Sequence, residues 1–526
     1  MHRRSNSRSC ATEARTGCPD QGCRSERTSH RKRAVTSTRV LARNTGLNVA
    51  GQALPMVAAL VAIPVLIRHL GAPRFGVLTL AWAVIGYFSL FDLGLGRALT
   101  QAVAARLGSR SGIAELPVVA WTALLVMTVF GVLGGGVLAM CSPWLVGGLL
   151  NIPLELRAES LTAFYLLSVS MPAVVPTAGL RGLLEAHQDF GIATALKIPL
   201  ALFTFMAPLA VLPFSNSLVP IVVVLVIGRY LTWIAHVIAC VKRYDYLRHR
   251  PAPRLSVVVP LLRLGGWMTT SNLVSPVMAY LDRFFIGATL AMTAVAHYVT
   301  PYEIVSKLLV VPIAMITVVF PAFASTYVDN PHRTTVLFER SLRILVLLTF
   351  PLSLVSILFA REGLMIWVGA AFADASAPVL RWLAVGIFAN AVAQAPFALL
   401  QSTGRPDLTA KLHLIELPLY VASLAWLAST HGIVGVAVAW TLRATFDAVA
   451  LLAVANQRLQ GTRGTIRPTL IVAAGALAAL VGACFVEGLM PKVLFLVVTA
   501  VTFGAVSWTR MMQPAERAYL MERARA

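Results

Sequence analysis

Charge is scarce in this sequence of 526 residues: Asp, Glu, Lys and Arg make up 13%, and acids number 22 against 44 bases. A set of soluble domains of this total length needs far more polar surface, so that class is excluded. Cysteine is scarcer still, at six residues. Cys10, Cys18 and Cys23 lie in a polar stretch near the start, while Cys141, Cys240 and Cys484 stand apart within or beside apolar runs. That scatter excludes a disulfide framework, and the first three, even with His2 and His30, lack a recognised zinc spacing. No apolar stretch follows closely on the basic start, as a signal peptide requires. Strands of alternating polarity are missing too, which excludes a membrane β-barrel.

What remains is apolar. Hydrophobic residues reach 58% and the mean hydropathy is +0.77. After an Arg- and Ser-rich tail over residues 1–40, expected to be disordered and cytoplasmic, one pattern repeats: about 20 apolar residues, then a short polar break. That length crosses a bilayer core at a rise of about 1.5 Å per residue. The pattern predicts an all-α, polytopic membrane protein of about fourteen transmembrane helices. They are expected near 45–67, 75–93, 116–140, 160–180, 191–213, 217–240, 261–288, 294–324, 336–360, 379–402, 409–429, 433–456, 468–489 and 491–511.

The net charge of +22 has two readings, a nucleic-acid partner or cytoplasmic loops. The bases sit in short breaks between apolar runs, without a soluble domain or interleaved stacking aromatics, so nucleic acid is not expected as a partner. With the N-terminus inside, the inner breaks hold Arg97, Arg106 and Arg110, the cluster Lys242, Arg243, Arg248, Arg250 and Arg254, then Arg333, Arg340 and Arg343, then Arg458, Arg463 and Arg467. The outer breaks hold only Arg68, Arg74, Arg157, Arg361, Arg381 and Lys492. The bias places both termini in the cytoplasm.

A repeat underlies the pattern, at a spacing of roughly 215 residues. Leu183-Leu184-Glu185-Ala186 with Asp189, Phe190, Lys197 and Pro199 parallels Leu399-Leu400-Gln401-Ser402 with Asp407, Leu408, Lys411 and Pro418. Further on, Arg229 and Arg443 occupy matching places in the sixth helix of each half. The repeat implies two six-helix lobes in parallel around a central cavity, over 41–240 and 259–456. A basic linker over 241–258 joins them, and two additional helices with a cytoplasmic tail fill 457–526.

The sequence resembles the polysaccharide (O-antigen, Wzx-type) flippases of the multidrug/oligosaccharidyl-lipid/polysaccharide exporter superfamily. The resemblance rests on an ordered set: Arg43-Asn44 with Asn48, Leu70-Gly71 then Phe75-Gly76, Asp92 to Arg97, Leu183 to Phe190, Asp282-Arg283 with Ile286-Gly287, and Tyr298. It covers residues of about 41 to 460. It implies a bacterial inner-membrane protein that moves a polyprenyl-diphosphate-linked oligosaccharide outward for surface polysaccharide assembly, beside a polysaccharide polymerase complex. Its partners would then be the lipid-linked oligosaccharide and membrane lipid. The first helix has no acid between Thr45 and Ile67 and no Arg-Asp pair. This weighs against the alternatives in the same superfamily, a cation-coupled drug exporter and a lipid II flippase.

Chemistry is sought where charge meets the apolar spans. A diphosphate crossing a low-dielectric interior needs cations that face a hydrated cavity. Arg229 and Arg443 fall near the bilayer midplane, one per lobe, and together could clamp a diphosphate by fork geometry. The alternative for Arg443 is neutralisation by Asp447, one turn away. A second group, Asp282, Arg283, Glu303 and Lys307, lies on the seventh and eighth helices. It reads either as a proton or sodium coupling site, with Glu303 or Asp282 titrating, or as an ion-pair lattice that locks the two helices. Glu416 is a third acidic candidate, with Lys411 as its expected partner. Pro172, Pro176, Pro276 and Pro312 lie inside spans, where they kink helices. No cofactor or metal is expected. His187, His236 and His413 read as isolated, and no acid/base constellation of a polymerase or glycosyltransferase converges, so an enzyme is the remote alternative.

Overall fold

The computed structural model describes residues 38–87, 95–107, 110–248, 280–327, 330–459 and 466–511, with a few single residues between these stretches. The three tail cysteines, Asp92, Pro276 and the first part of the seventh span lie outside the described residues. The chain falls into two compact units, Met1–Gly51 and Gln52–Ala526, and every segment long and apolar enough to span a membrane lies in the second.

Helices account for the regular structure of the described residues, and ten of them are long and apolar enough to cross a membrane. In chain order they begin with α1 (Thr38–Tyr87), α2 (Leu95–Arg106), α3 (Arg110–Trp144), α4 (Leu154–Ala186), α5 (Phe190–Val211) and α6 (Leu218–Arg243). There follow α7 (helical over 280–289), α8 (Met292–Val305), α9 (Val310–Thr326), α10 (Pro331–Leu358) and α11 (Ala360–Val368). The last are α12 (Ala370–Ser402), α13 (Pro406–Arg458), α14 (Arg467–Ala483) and α15 (Leu489–Val506).

Two of these are hairpins in disguise. A helix of 50 residues (α1) or 53 residues (α13) would run about 75–80 Å, more than twice a bilayer core of about 30 Å. Each must therefore fold back. Gly71 (φ 75°, ψ 160°) breaks α1 and Gly432 (φ 57°, ψ −138°) breaks α13, both in backbone regions where a Cβ is penalised. The two bends fall in the breaks expected between spans 45–67 and 75–93, and between 409–429 and 433–456.

Helix starts follow the local chemistry. The Ser217 hydroxyl accepts a bond from the Val219 amide at 3.3 Å to open α6, and Asn330 accepts from the Arg333 amide at 3.0 Å, just ahead of Pro331 in α10. Such caps satisfy the orphan donors of a first turn. The expected span 294–324 is interrupted by a 3-10 turn over Ser306–Leu309. Pro312 lacks the amide that would bond the Leu308 carbonyl, so the helix tightens there.

The same turn occurs twice. After α4, the Asp189 amide bonds the Leu184 carbonyl at 2.9 Å across Gln188, whose φ is 60°. After α12, the Arg405 amide bonds the Leu400 carbonyl at 3.0 Å across Gly404, at φ 75°. Both are helix endings closed by one left-handed residue, at corresponding places of the sequence repeat.

Extensive helix contacts form two sets. In one, α4 packs on α2, α3 and α6, with α5 against α6. In the other, α12 is the hub, touching α8, α9, α10, α11, α13 and α14, with α15 against α14 and α10. The α1 hairpin touches both. Trp82 meets Phe205 of α5 edge to face at 5.3 Å, while the Trp367 indole of α11 donates to the Leu60 carbonyl at 2.7 Å.

Several bases expected in loops are tied into the helices. Arg343 is buried in α10 and pairs with Glu339 at 3.4 Å. Of the bases expected outside, Lys492 is buried and meets Glu362 at 2.6 Å, and Arg381 donates to the Cys484 carbonyl at 3.0 Å. Cys240 and Cys484 are buried free thiols, and Cys141 is exposed.

Candidate functional site

Asp282 and Arg283 sit on α7 and are both buried. Their side chains do not pair with each other. The Asp282 carboxylate accepts the Tyr298 hydroxyl at 2.6 Å and the Arg283 amide at 2.8 Å. Arg283 turns to Glu303 of α8, 3.4 Å away, and lies over the rings of Tyr280 and Tyr302 at 5.0 and 5.2 Å. Lys307, in the 3-10 turn, meets the other Glu303 oxygen at 3.1 Å. The four residues singled out in sequence thus form a chain, Arg283–Glu303–Lys307, with Asp282 joined through Tyr298 and the backbone. Glu303 and Lys307 also line a small cleft with Met56, Ala59, Leu60 and Ile63 of α1 and Trp367 of α11.

Arg443 is half-buried on the second arm of α13. Its guanidinium lies 5.6 Å from the Tyr420 ring and 5.8 Å from that of Trp440, within reach of a cation–π attraction. Among the described residues it makes no hydrogen bond or ion pair, and its Nε is buried without a partner. Asp447 does not neutralise it through an ion pair. Arg229 is half-buried on α6, and among the described residues no hydrogen bond or ion pair engages its side chain. Arg229 and Arg443 belong to different sets of helices.

Two expectations need correction. Lys411 pairs with Asp407 at 3.9 Å rather than with Glu416, because i and i+4 share a helix face. His413 is not isolated. Its Nε2 lies 3.7 Å from Asp447 Oδ1, and both converge with Glu416. All three are buried. The signal was present as His413 and Glu416 three apart on one arm and Arg443 and Asp447 four apart on the other. The register of the two arms, which Gly432 sets, could not be read from spacing.

At one end the two sets of helices are tied together. The Asn151 amide donates to the Gly287 carbonyl at 2.7 Å, and its side-chain amide donates to the carbonyls of Ala288 and Leu290, each at 2.9 Å. Gly76 of α1 abuts the Met292 carbonyl of α8 so closely that a Cβ there would collide with it. Nearby, Glu159 receives Arg74 at 3.2 Å and also the Leu218 amide.

Comparison with known proteins places this architecture. Residues 41–327 match the family described as polysaccharide biosynthesis protein. A Shigella flexneri protein to which the role of O-antigen transporter is ascribed is 30% identical over 409 residues, covering 78% of this chain and 96% of that protein. Among solved structures, an inward-facing multidrug resistance MATE transporter of the MOP superfamily superposes with a TM-score of 0.68 at 17% identity, over 79% of this chain and 99% of the other. The lipid II flippase MurJ, in an inward closed conformation, superposes at 0.64 and 12% identity, over 90% of this chain and 100% of that one. The chain belongs to the polysaccharide biosynthesis protein family and is a multi-pass membrane protein with the fold of the MATE transporter and of MurJ.

Proposed function

We propose that this transporter flips a polyprenyl-diphosphate-linked oligosaccharide from the inner to the outer leaflet of a bacterial inner membrane. The observation that carries the reading is the pair Arg229 and Arg443. Each is half-buried in an apolar span, on a different set of helices, with no acid paired to it among the described residues. An arginine left without an ion pair in such a place is costly unless it serves a ligand, and a diphosphate is the ligand that guanidinium forks suit. The role ascribed to the Shigella flexneri relative supports a saccharide cargo. The headgroup would cross between the two sets of helices while the polyprenyl tail stays in lipid, by alternating access. The product would pass to a polysaccharide polymerase at the outer face.

Asp282, Arg283, Glu303 and Lys307 serve this cycle as a lock. Each Glu303 oxygen already faces a cation, and Asp282 is occupied by Tyr298 and an amide. Groups so fully compensated are poorly placed to exchange protons or sodium during transport.

The test is to deplete the protein in its host and probe lipid-linked oligosaccharide on each membrane face with an impermeant sugar-labelling reagent. The intermediate should accumulate on the cytoplasmic face and be released by re-expression. Unchanged sidedness would instead favour drug or other lipid export.

A further inference from the structure

The α13 hairpin holds a group of titratable side chains that the lock does not use. Glu416 is 1% exposed, His413 6% and Asp447 7%, and one polar atom from each lies within 4.8 Å of the others. Neither Glu416 oxygen receives a hydrogen bond, nor does Asp447 Oδ1. The Phe397 ring of α12 stacks on His413 at a centroid distance of 6.4 Å and keeps that side apolar. Arg443 and Tyr420 face the group from the same hairpin. Through Arg443 it is within electrostatic reach of Asp282 on α7, which Tyr298 of α8 engages.

Charge does not balance here. Two buried carboxylates face one guanidinium, and two adjacent carboxyl groups cannot both stay ionised in a poorly solvated interior without a compensating cation. A proton shared between them removes the excess. The guanidinium that offsets the other charge is the one assigned to the headgroup.

We propose that Glu416, Asp447 and His413 form a proton-holding site linked through Arg443 to the headgroup, so that diphosphate binding draws a proton into the cluster. The inference rests on the assignment of Arg443 to the headgroup. When the diphosphate takes up the Arg443 charge, the carboxylates lose their counter-charge, and a proton from water joins Glu416 or Asp447. No covalent bond to the phosphate forms. By reciprocity, a proton already on the cluster tightens diphosphate binding at Arg443. The ligand's own titration has the opposite sign, since pairing with arginine favours the ionised phosphate and releases protons.

The experiment uses the full-length purified protein in detergent, titrated with farnesyl diphosphate in weakly buffered solution containing a pH indicator, with sodium or choline as the salt. Binding should take up about one proton per diphosphate, and affinity should rise by about tenfold per unit of falling pH while the cluster fills. Glu416→Gln should still bind diphosphate, but with net uptake lost and the pH slope flattened. Asp447→Asn serves as a second variant should that protein not fold. Wild-type binding without proton uptake overturns the linkage and leaves the Arg443 assignment standing. So does binding that requires sodium and moves no proton, or uptake by Glu416→Gln equal to that of wild type. Absence of diphosphate binding by the wild type overturns the assignment and the linkage together.

Discussion

At Asp189, in the turn after α4, burial alone would raise the carboxyl pKa. Hydrogen bonds from Arg243 and Tyr244, with the Arg243 charge, outweigh burial and hold it below the ordinary carboxylate value. His187, stacked on Tyr244 at 3.9 Å, supports the arrangement. A depressed folded-state pKa contributes stability that is present at neutral pH and lost as pH falls through that value. Replacing Asp189→Asn should therefore cost about 1 kcal/mol or less at pH 7, as for a partly exposed ion pair. The difference from wild type should shrink towards zero below about pH 4. Thermal unfolding of both proteins across pH measures it, and a difference that persists undiminished in acid would show that the carboxylate charge is not its source. The same scale shows where sequence was silent. Arg229 and Arg443 stand out as charges within apolar runs, but the ring partners of Arg443 and the hydroxyl partner of Asp282 depend on which faces meet, and no spacing encodes that.

Among elements, the Lys492–Glu362 ion pair ties α15 to α11. Lys492 is 3% exposed and reaches Glu362 at 2.6 Å. Burial would raise the Glu362 pKa, yet the bond from Lys492 keeps it below the usual value. Removing the cation alone, by Lys492→Met, leaves a carboxylate that is 35% exposed and should cost about 1 kcal/mol, while adding Glu362→Gln should recover part of that loss. Melting temperatures of the two single variants and the double variant supply the cycle; equal losses in Lys492→Met and the double variant would deny the coupling. At the other joint, Gly76 and Asn151 hold α1 and the α3–α4 connection against the α7–α8 turn. Gly76→Ala should force the ends apart and raise the labelling rate of a cysteine introduced at Ala288 several-fold. Asn151→Ala should act in the same direction but less strongly. Unaltered labelling in both variants would mean that these contacts do not hold the two sets of helices together. Gly71 and Gly432 fall in the breaks expected between spans, whereas α10 starts at Pro331, five residues ahead of the expected start at 336. Burial of Arg343 and Lys492 was not legible in the sequence, since a base near a span end reads as a loop residue until its acidic partner is found in space.

For the whole molecule, hydropathy was decisive because a bilayer imposes one length on every span. The all-helical membrane class and the breaks in which Gly71 and Gly432 lie follow from that length, whereas the family is carried by the ordered motifs from Arg43 to Tyr298. The ion chemistry did not follow, because Glu416, His413 and Asp447 meet only once a hairpin has folded. The central claim is that Arg229 and Arg443 carry the diphosphate across. The most direct measurement reconstitutes the purified protein into vesicles loaded on one face with lipid-linked oligosaccharide and follows its appearance at the other. Wild type should translocate the lipid, and Arg229→Ala/Arg443→Ala, inserted at equal density, should lose at least tenfold in rate, the equivalent of about 1.4 kcal/mol in a barrier. Translocation by the double variant at the wild-type rate would contradict the account.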